Sequence, residues 1–429
     1  MKYFGTDGIR GVPNQKLTVE LVTRLGSALT ALENKNVVLA TDTRISKDML
    51  ASCITAGALS QGLNVIFIGV VPTPALIYYS HKYNYTGVMI TASHNPYTDN
   101  GIKVLKNGKK LSPEDEGKIE ALIDNPLPKS TEIGKYIINN DAKGEYVDFI
   151  SSFTTSTSRS IVLDTANGAT YQTAGEIFKN ITNSLTIICN NPDGYNINNG
   201  CGSTHLELLQ KKVVETHSSI GFAFDGDGDR VLCVNDKGNV IDGDMLIYIL
   251  ARYLKQNNKL NNNTIALSMM SNLGLIKSLN DNGIKVIETN VGDKYIVKAL
   301  FDNNLSVGGE NSGHIILPDL FHTGDGVLVA TQIVKVLKDT NTKIDDWLKD
   351  VVMYSDKMVN IKVKSKEAVL NNKALFDRVD EIKKELNNDC KIIIRASGTE
   401  DLIRVSVMAR TKDLVDKFSD ELVSMVNNI

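Results

Sequence analysis

The run Asp225-Gly226-Asp227-Gly228-Asp229-Arg230 places three carboxylates at alternate positions, with glycines between them and an arginine after them. If the chain stays extended there, alternate side chains point to the same side. Three like charges held that close repel one another unless a cation lies between them. Oxygen-only donors select a hard ion, and next to phosphate chemistry that ion is magnesium. The glycines let the backbone turn and leave room for a ligand. An acidic surface turn uses the same Asp-Gly vocabulary and stays open as an alternative. A calcium loop of the EF-hand kind does not fit. Its sixth place needs glycine and its twelfth glutamate, and Arg230 and Asp236 stand there.

Three more polar loops could do chemistry. In Thr91-Ala92-Ser93-His94-Asn95-Pro96 the Asn-Pro pair stops a strand and leaves Ser93 at its end, where it could face solvent as a nucleophile or serve as an ordinary turn residue. Lys103 follows shortly. Gly308-Gly309-Glu310-Asn311-Ser312-Gly313-His314 gathers an acid, an amide, a hydroxyl and an imidazole, a set able to bond sugar hydroxyls. In Arg395-Ala396-Ser397-Gly398-Thr399-Glu400, with Arg404 beyond, small residues expose backbone N–H groups as an anion nest. Ser397 and Thr399 add hydroxyl donors, and an arginine can grip phosphate oxygens through two parallel bonds. Polar or capped turns remain the plain alternatives for both of these loops.

The elements that must position these loops are strands alternating with helices. Residues 37–42, 64–69 and 86–92 read as strands, with helical spacing over 47–61 and 74–83. The pattern restarts, with strands over 160–164, 185–189 and 220–224, and again with strands over 264–269, 284–288 and 305–308. Each pass ends in one of the polar loops, and ligands of α/β sheets gather beyond the carboxyl ends of strands. The tail differs: strands over 359–363, 391–394 and 403–408 and helices over 366–386 and 412–426 form a small α+β domain. The polar stretch 338–343 is expected near the hinge before it.

Composition limits the partners. With 47 Lys and Arg against 50 Asp and Glu, the net charge of −3 gives no basic excess for nucleic acid or an anionic membrane. No apolar run reaches the ~18 residues of a membrane span, and the N-terminus lacks the apolar core of a signal peptide, so a cytoplasmic location is expected. The five cysteines are scattered without a Cys-x-x-Cys pair, which predicts free thiols and no zinc site.

In this order the four loops resemble those of the α-D-phosphohexomutase family, as its phosphoserine, metal, sugar and phosphate loops, and the likeness runs along essentially the whole chain. The opening Tyr3-Phe4-Gly5-Thr6-Asp7-Gly8-Ile9-Arg10-Gly11 and Thr323-Gly324-Asp325-Gly326 resemble the branch that acts on glucosamine phosphates. Asn311 departs from that branch's frequent glutamine, and Ala396 and Asp401 replace frequent prolines.

The resemblance implies three similar α/β domains with mixed sheets (1–140, 141–243, 244–350) and a smaller α+β C-terminal domain (351–429) around a central cleft. The implied reaction interconverts glucosamine 6-phosphate and glucosamine 1-phosphate through a phosphoserine and a bisphosphate, toward amino-sugar and cell-wall precursors. It also implies a monomer or homodimer, Mg2+ as cofactor and catalytic amounts of hexose bisphosphate as activator. Ser93, Asp225, Asp227 and Asp229 would hold the metal. Lys103 would shuttle the proton, with His314 second and Arg10 assisting, and Arg230 would balance bridging charge. Glu310 and Ser312 would hold the sugar, and Arg395, Ser397, Gly398, Thr399 and Arg404 the other phosphate. Rival readings are a phosphoglucomutase or phosphomannomutase, a magnesium-dependent sugar phosphatase and a non-catalytic sugar-phosphate binder.

Overall fold

Four sheets follow one another along the chain in the computed structural model, which describes residues 2–5, 7–125, 130–396 and 402–429. In the first, the parallel strands Asn36–Thr41, Asn64–Val70 and Thr86–Ile90 lie side by side, with Asn100–Lys106 antiparallel against Thr86–Ile90 and Ile9–Gly11 outside it. Their near-continuous Val, Ile and Leu runs suit strands covered on both faces. Val37, Val38, Leu39, Val88 and Ile90 have no exposed surface. The register sets Lys103 opposite Met89 and Arg10 opposite Gly101, so both cations arrive beside the turn that follows Ile90.

The second sheet runs in the order Val240–Ile241, Val231–Asn235, Ile220–Phe224, Ile161–Asp164, Leu185–Ile188. The third runs Lys285–Thr289, Thr264–Ser268, Gly308–Gly309, Ile315–Leu317, Phe321–Gly324. Its central strand, Gly308–Gly309, is shorter than expected and shifted, and both positions need glycine: a Cβ would meet the Ala266 carbonyl at Gly308 and the His314 carbonyl at Gly309. Helices begin where carboxylates cap them. Asp242 accepts from the Met245 N–H and Asp325 from the Leu328 N–H, both at 2.9 Å. The other oxygen of Asp325 accepts from the buried Tyr146 hydroxyl at 2.9 Å, tying the second sheet's leading helix to the helix that follows the third sheet's last strand.

One hydrophobic cluster joins the first three sheets, from Val38 through Phe222 to Trp347. The last sheet is antiparallel, with Leu402–Ala409 between Ser355–Lys362 and Cys390–Ala396, and it has a separate core that includes Ile361, Leu375, Val405, Phe418 and Leu422. One expectation changes here and one is refined. The helix expected over 366–386 is two, Lys366–Leu370 and Lys373–Glu385, because Asn372 leaves the helical region and caps the second through the Leu375 N–H. Residues 338–343 are anchored, and the exit to the last sheet lies a few residues beyond them. Arg159 donates to the Leu337 and Thr342 carbonyls, and Trp347 Nε1 donates to Thr342 Oγ1. The chain leaves for the last sheet after helix Ile344–Leu348, and Asn272 holds it there by bonding both the N–H and the carbonyl of Tyr354.

Among the described residues no helix is long and apolar enough to cross a membrane. All five thiols are free, as expected. Cys189 and Cys201 nevertheless meet Asp164 with their donor atoms within 4.8 Å, a proximity the spacing does not reveal. The Asp164 carboxylate is engaged there as a turn anchor, accepting from the Ala166 and Gly202 N–H groups at 2.8 and 2.9 Å, and burial pushes its pKa up to about 6.

Trp347 is the only tryptophan and is buried in the shared cluster. Trp347→Ala leaves a cavity and removes the indole N–H from Thr342 Oγ1, which keeps its bond to the Thr340 hydroxyl. It should cost about 3–5 kcal/mol of stability, read by urea unfolding followed with far-UV circular dichroism; a loss under 1 kcal/mol would show that the cluster does not carry the fold.

Candidate active site

Ser93 comes three residues after the end of strand Thr86–Ile90. It does not face open solvent as the sequence suggests. It is 2% exposed, its φ of +52° lies in the left-handed region that serine rarely adopts, and its Oγ donates to Asp225 Oδ2 at 2.6 Å. The backbone turns inward because its carbonyls find donors beneath the sheet's edge: Arg44 Nη2 and Asn198 Nδ2 each lie 2.9 Å from the Ser93 oxygen. His94 Nδ1 is 3.3 Å from Ser93 Oγ.

The acidic loop also differs from its expected form. It is a tight connection, not an extended run. The ladder ends at the pair Phe224 and Val231, so residues 225–230 must reverse the chain between antiparallel strands. The Gly228 N–H closes the turn on the Asp225 carbonyl at 3.1 Å with φ +74°, and a Cβ at Gly226 would collide with the Ser93 carbonyl. The turn still brings the three carboxylates together, with oxygens within 4.8 Å of one another.

Their hydrogen bonds test whether a cation fits. Asp225 accepts from Ser93 Oγ and from the Arg230 N–H, and Asp227 Oδ2 accepts from Thr73 Oγ1 at 2.6 Å and Lys103 Nζ at 2.8 Å. Asp227 Oδ1 and Asp229 Oδ1 are buried and accept no hydrogen bond. Buried carboxylate oxygens are costly without a partner, and two of them beside a third carboxylate form a hard-donor set suited to a divalent ion. Burial, reinforced by Asp229 and Asp227, drives the Asp225 pKa well above the carboxylate range. Burial acts the same way on Asp229, but Lys103, His314 and Arg230 outweigh it and hold that carboxyl low.

Cations surround the trio. Lys103 Nζ is 3.2 Å from Asp7 and 3.6 Å from Asp229 as well as bonded to Asp227. Burial opposes its charge, yet the three carboxylates raise its pKa well above the usual value. His314 Nδ1 is 3.7 Å from Asp229 Oδ1, and despite burial that carboxylate raises its pKa. Arg10 pairs with Asp7. Burial, then Arg230 and Arg10, push the His94 pKa down to about 4, which leaves it neutral near pH 7.

A cleft of about 500 Å³ is lined by Arg10, Ser93, His94, Asp229, Arg230, Glu310 and His314, among others. The Glu310 loop reaches it because the Val231 N–H bonds the Gly313 carbonyl and the Gly243 N–H bonds the Asn311 carbonyl. Glu310 Oε1 accepts from the Gly292 N–H at 3.0 Å. Ser312 does not line the cleft, and its buried Oγ has no hydrogen-bond partner. Arg395 and Arg404 do not line it either. They face each other as a cross-strand pair, and Arg404 Nε is buried without a hydrogen bond among the described residues. Ser397, Gly398 and Thr399 lie outside the described residues.

Sequence reading missed Arg44, Thr73, Asn198 and the cleft position of His94. Arg44 follows a parallel strand, Asn36–Thr41, in a polar loop of the kind that flagged the other sites. Nothing in the sequence marks Asn198, whose bond to the Ser93 loop spans 105 residues.

Four family models of phosphoglucomutase/phosphomannomutase match in succession: alpha/beta/alpha domain I at residues 1–129, alpha/beta/alpha domain II at 144–238, alpha/beta/alpha domain III at 242–354 and the C-terminal domain at 358–425. The chain belongs to this phosphohexomutase family. It is 40% identical to a phosphoglucosamine mutase of Pediococcus pentosaceus, over 100% of this chain and 98% of that one. It is 41% identical to a phosphoglucosamine mutase of Staphylococcus carnosus, over 99% and 98%. Among solved structures, a phosphoglucomutase/phosphomannomutase family protein of Burkholderia thailandensis has the same fold, with TM-score 0.82 at 21% identity over 99% and 97% of the two chains. So does the N-acetylphosphoglucosamine mutase of Aspergillus fumigatus in complex with GlcNAc-6P and magnesium, with TM-score 0.70 at 17% identity over 99% and 95%.

For a phosphohexomutase with this acidic loop, Asp227→Ala should weaken divalent-ion binding by more than the about 10–100-fold that loss of an outer-shell partner costs. Titration with Mn2+ followed by electron paramagnetic resonance reads this directly, and an unchanged affinity would remove the loop as the metal site.

Proposed function

We propose that this chain is a phosphoglucosamine mutase that interconverts glucosamine 6-phosphate and glucosamine 1-phosphate through phosphorylated Ser93. The observation that carries the reading is the hydrogen bond from Ser93 Oγ to Asp225, beside two carboxylate oxygens without hydrogen-bond partners, on a cleft shared with Glu310 and His314. Full-length likeness to phosphoglucosamine mutases supports the amino sugar.

In this reading the bond between phosphorus and Ser93 Oγ breaks as the free hydroxyl of the bound sugar phosphate bonds to phosphorus and gives up its proton. The bisphosphate turns around and returns its other phosphoryl group to Ser93, whose oxygen is thereby restored to the ester. Such transfers need in-line placement and charge neutralisation. Asp225, Asp227, Asp229 and an oxygen on Ser93 would hold Mg2+, which supplies Lewis acidity at the transferring group. Arg230 balances the remaining negative charge. Lys103 is the proposed proton shuttle. Asp227, Asp7 and Asp229 around it keep it protonated, so acting as a base would require that hold to weaken once the site is loaded. His314, beside Asp229, is the second candidate, with Arg10 assisting.

Glu310 and Ser312 would take ring hydroxyls. Arg395 and Arg404, with Ser397, Gly398 and Thr399, would take the phosphate that is not transferred. The like-charge pair supports this part. Burial and the facing Arg404 lower the Arg395 pKa, so an anion between the two relieves both. Domains at 1–140, 141–243, 244–350 and 351–429, a trace of hexose bisphosphate as activator and a cytoplasmic location complete the reading.

The deciding assay incubates the protein with Mg2+, a trace of hexose bisphosphate and glucosamine 6-phosphate, and measures the 1-phosphate. Faster turnover of glucose or mannose phosphates would reassign the substrate, and release of free phosphate without isomerised sugar would make the chain a phosphatase. Ser93→Ala should abolish turnover with an unchanged melting temperature; normal mutase rates in that variant would sink the mechanism. Arg404→Ala should raise KM for the sugar phosphate roughly 30-fold, as for a truncated charge-paired contact, with a smaller effect on kcat.

A further inference from the structure

The acceptor side of the Ser93 turn is filled by two side chains that the proposed chemistry does not use. Arg44 has no exposed surface, and neither does Asp42. A guanidinium carries five N–H donors, and here each has an acceptor. Nε donates to Asp42 Oδ2 at 2.9 Å. Nη1 donates to the Pro96 carbonyl and, at 3.2 Å, to that of Asp99. Nη2 donates to the carbonyls of Ser93 at 2.9 Å and Asn95 at 2.8 Å. Asp42 is itself fixed, because its Oδ1 accepts from the Arg44 N–H and its own N–H bonds the Ile90 carbonyl.

Four carbonyls between residues 93 and 99 therefore converge on one planar cation. Two of them are shared with the second domain. Asn198 Nδ2 donates to the Ser93 carbonyl at 2.9 Å and to that of Asn95 at 3.1 Å, so each of these oxygens has both lone pairs engaged. Asn198 is 6% exposed, and its own backbone is held by the Ala166 carbonyl.

We infer that Arg44 and Asn198 are positioning residues that hold Ser93 in its left-handed conformation and at its distance from Asp225, with Arg44 fixing the turn and Asn198 keying it to the domain that carries the acidic loop. Left to itself, a serine with φ +52° relaxes to the β or right-handed region, which swings its Oγ away. The carbonyl cradle prevents that. A lysine cannot replace it, since one ammonium with three donors does not reach four carbonyls and Asp42 in a single plane. The inference rests on the mutase reading above and adds to it what keeps the nucleophile in line.

The test uses Arg44→Lys, which keeps a cation beside Asp42, and Asn198→Ala, which leaves that pair untouched. Uptake of a phosphoryl group on Ser93 from glucose 1,6-bisphosphate is followed by intact mass in single turnovers, alongside steady-state kcat, KM and melting temperature. A displacement of the order of 1 Å costs about 100-fold in rate. Arg44→Lys should slow uptake and kcat by about that factor, and Asn198→Ala by about tenfold, with KM within about threefold of wild type because the sugar and phosphate grips are untouched. Folded variants that take up the phosphoryl group as fast as wild type overturn the inference, as do losses that appear only in KM or melting temperature. A wild-type chain that takes up nothing on Ser93 overturns the mutase reading and this inference with it, an outcome distinct from a wild type that does so beside an equally fast Arg44→Lys.

Discussion

The structure turns on crowded negative charge. Asp225, Asp227 and Asp229 are packed into one turn with their oxygens within 4.8 Å, mostly out of contact with water. Isolated carboxylates in such a place would neutralise by taking up protons. Here Asp225 is driven strongly in that direction, while Lys103, His314 and Arg230 hold the Asp229 pKa low. The cations are drawn from different sheets: Lys103 from the first, Arg230 from the second, His314 from the third. The charge balance therefore exists only when all three are docked, so the fold of the body and the electrostatics of the site depend on one another.

Docking is enforced where the loops meet. The Thr73 N–H bonds the Asp227 carbonyl, the Gly326 N–H bonds that of Gly228, and the Val231 N–H bonds that of Gly313. A continuous apolar cluster beneath them makes the first three sheets one body. The last sheet has its own core, so it can shift without opening the shared one. This division suits the chemistry. In the proposed reaction the transferring end needs fixed geometry, whereas the phosphate-holding end would have to meet either end of a turning sugar.

Much of this was legible in the sequence because strand ends mark sites in α/β sheets. The runs of Val, Ile and Leu located the strands, and the polar loops after them contained Ser93, Asp225, Glu310 and His314. Local spacing could not show the direction in which a loop folds. Ser93 is buried because Arg44 and Asn198, 49 and 105 residues away, supply donors to its carbonyl. The acidic loop is turned because its flanking strands pair antiparallel, and pairing partners are not written in the loop itself. Ser312 followed Glu310 in the motif, but its hydroxyl is buried off the cleft, since neighbours in a tight turn point in different directions.

The acidic loop and the last sheet carry opposite electrostatic deficits. At the acidic loop, carboxylate oxygens are buried without donors. On the last sheet, Arg395 and Arg404 face each other across a strand pair, and Arg404 Nε is buried without an acceptor. Among the described residues no hydrogen bond reaches these atoms, although His314 and Arg230 lie 3.7 and 3.8 Å from Asp229 Oδ1. A cation alone would relieve the first and a monophosphate alone the second. In the proposed reaction a sugar bisphosphate with a divalent ion would relieve both at once. Ligand-free imbalance of this kind costs stability in the resting protein. The species best matched to the whole charge pattern is thus the intermediate of the proposed reaction, more than either sugar monophosphate, which favours keeping the bisphosphate in the cleft while it turns around.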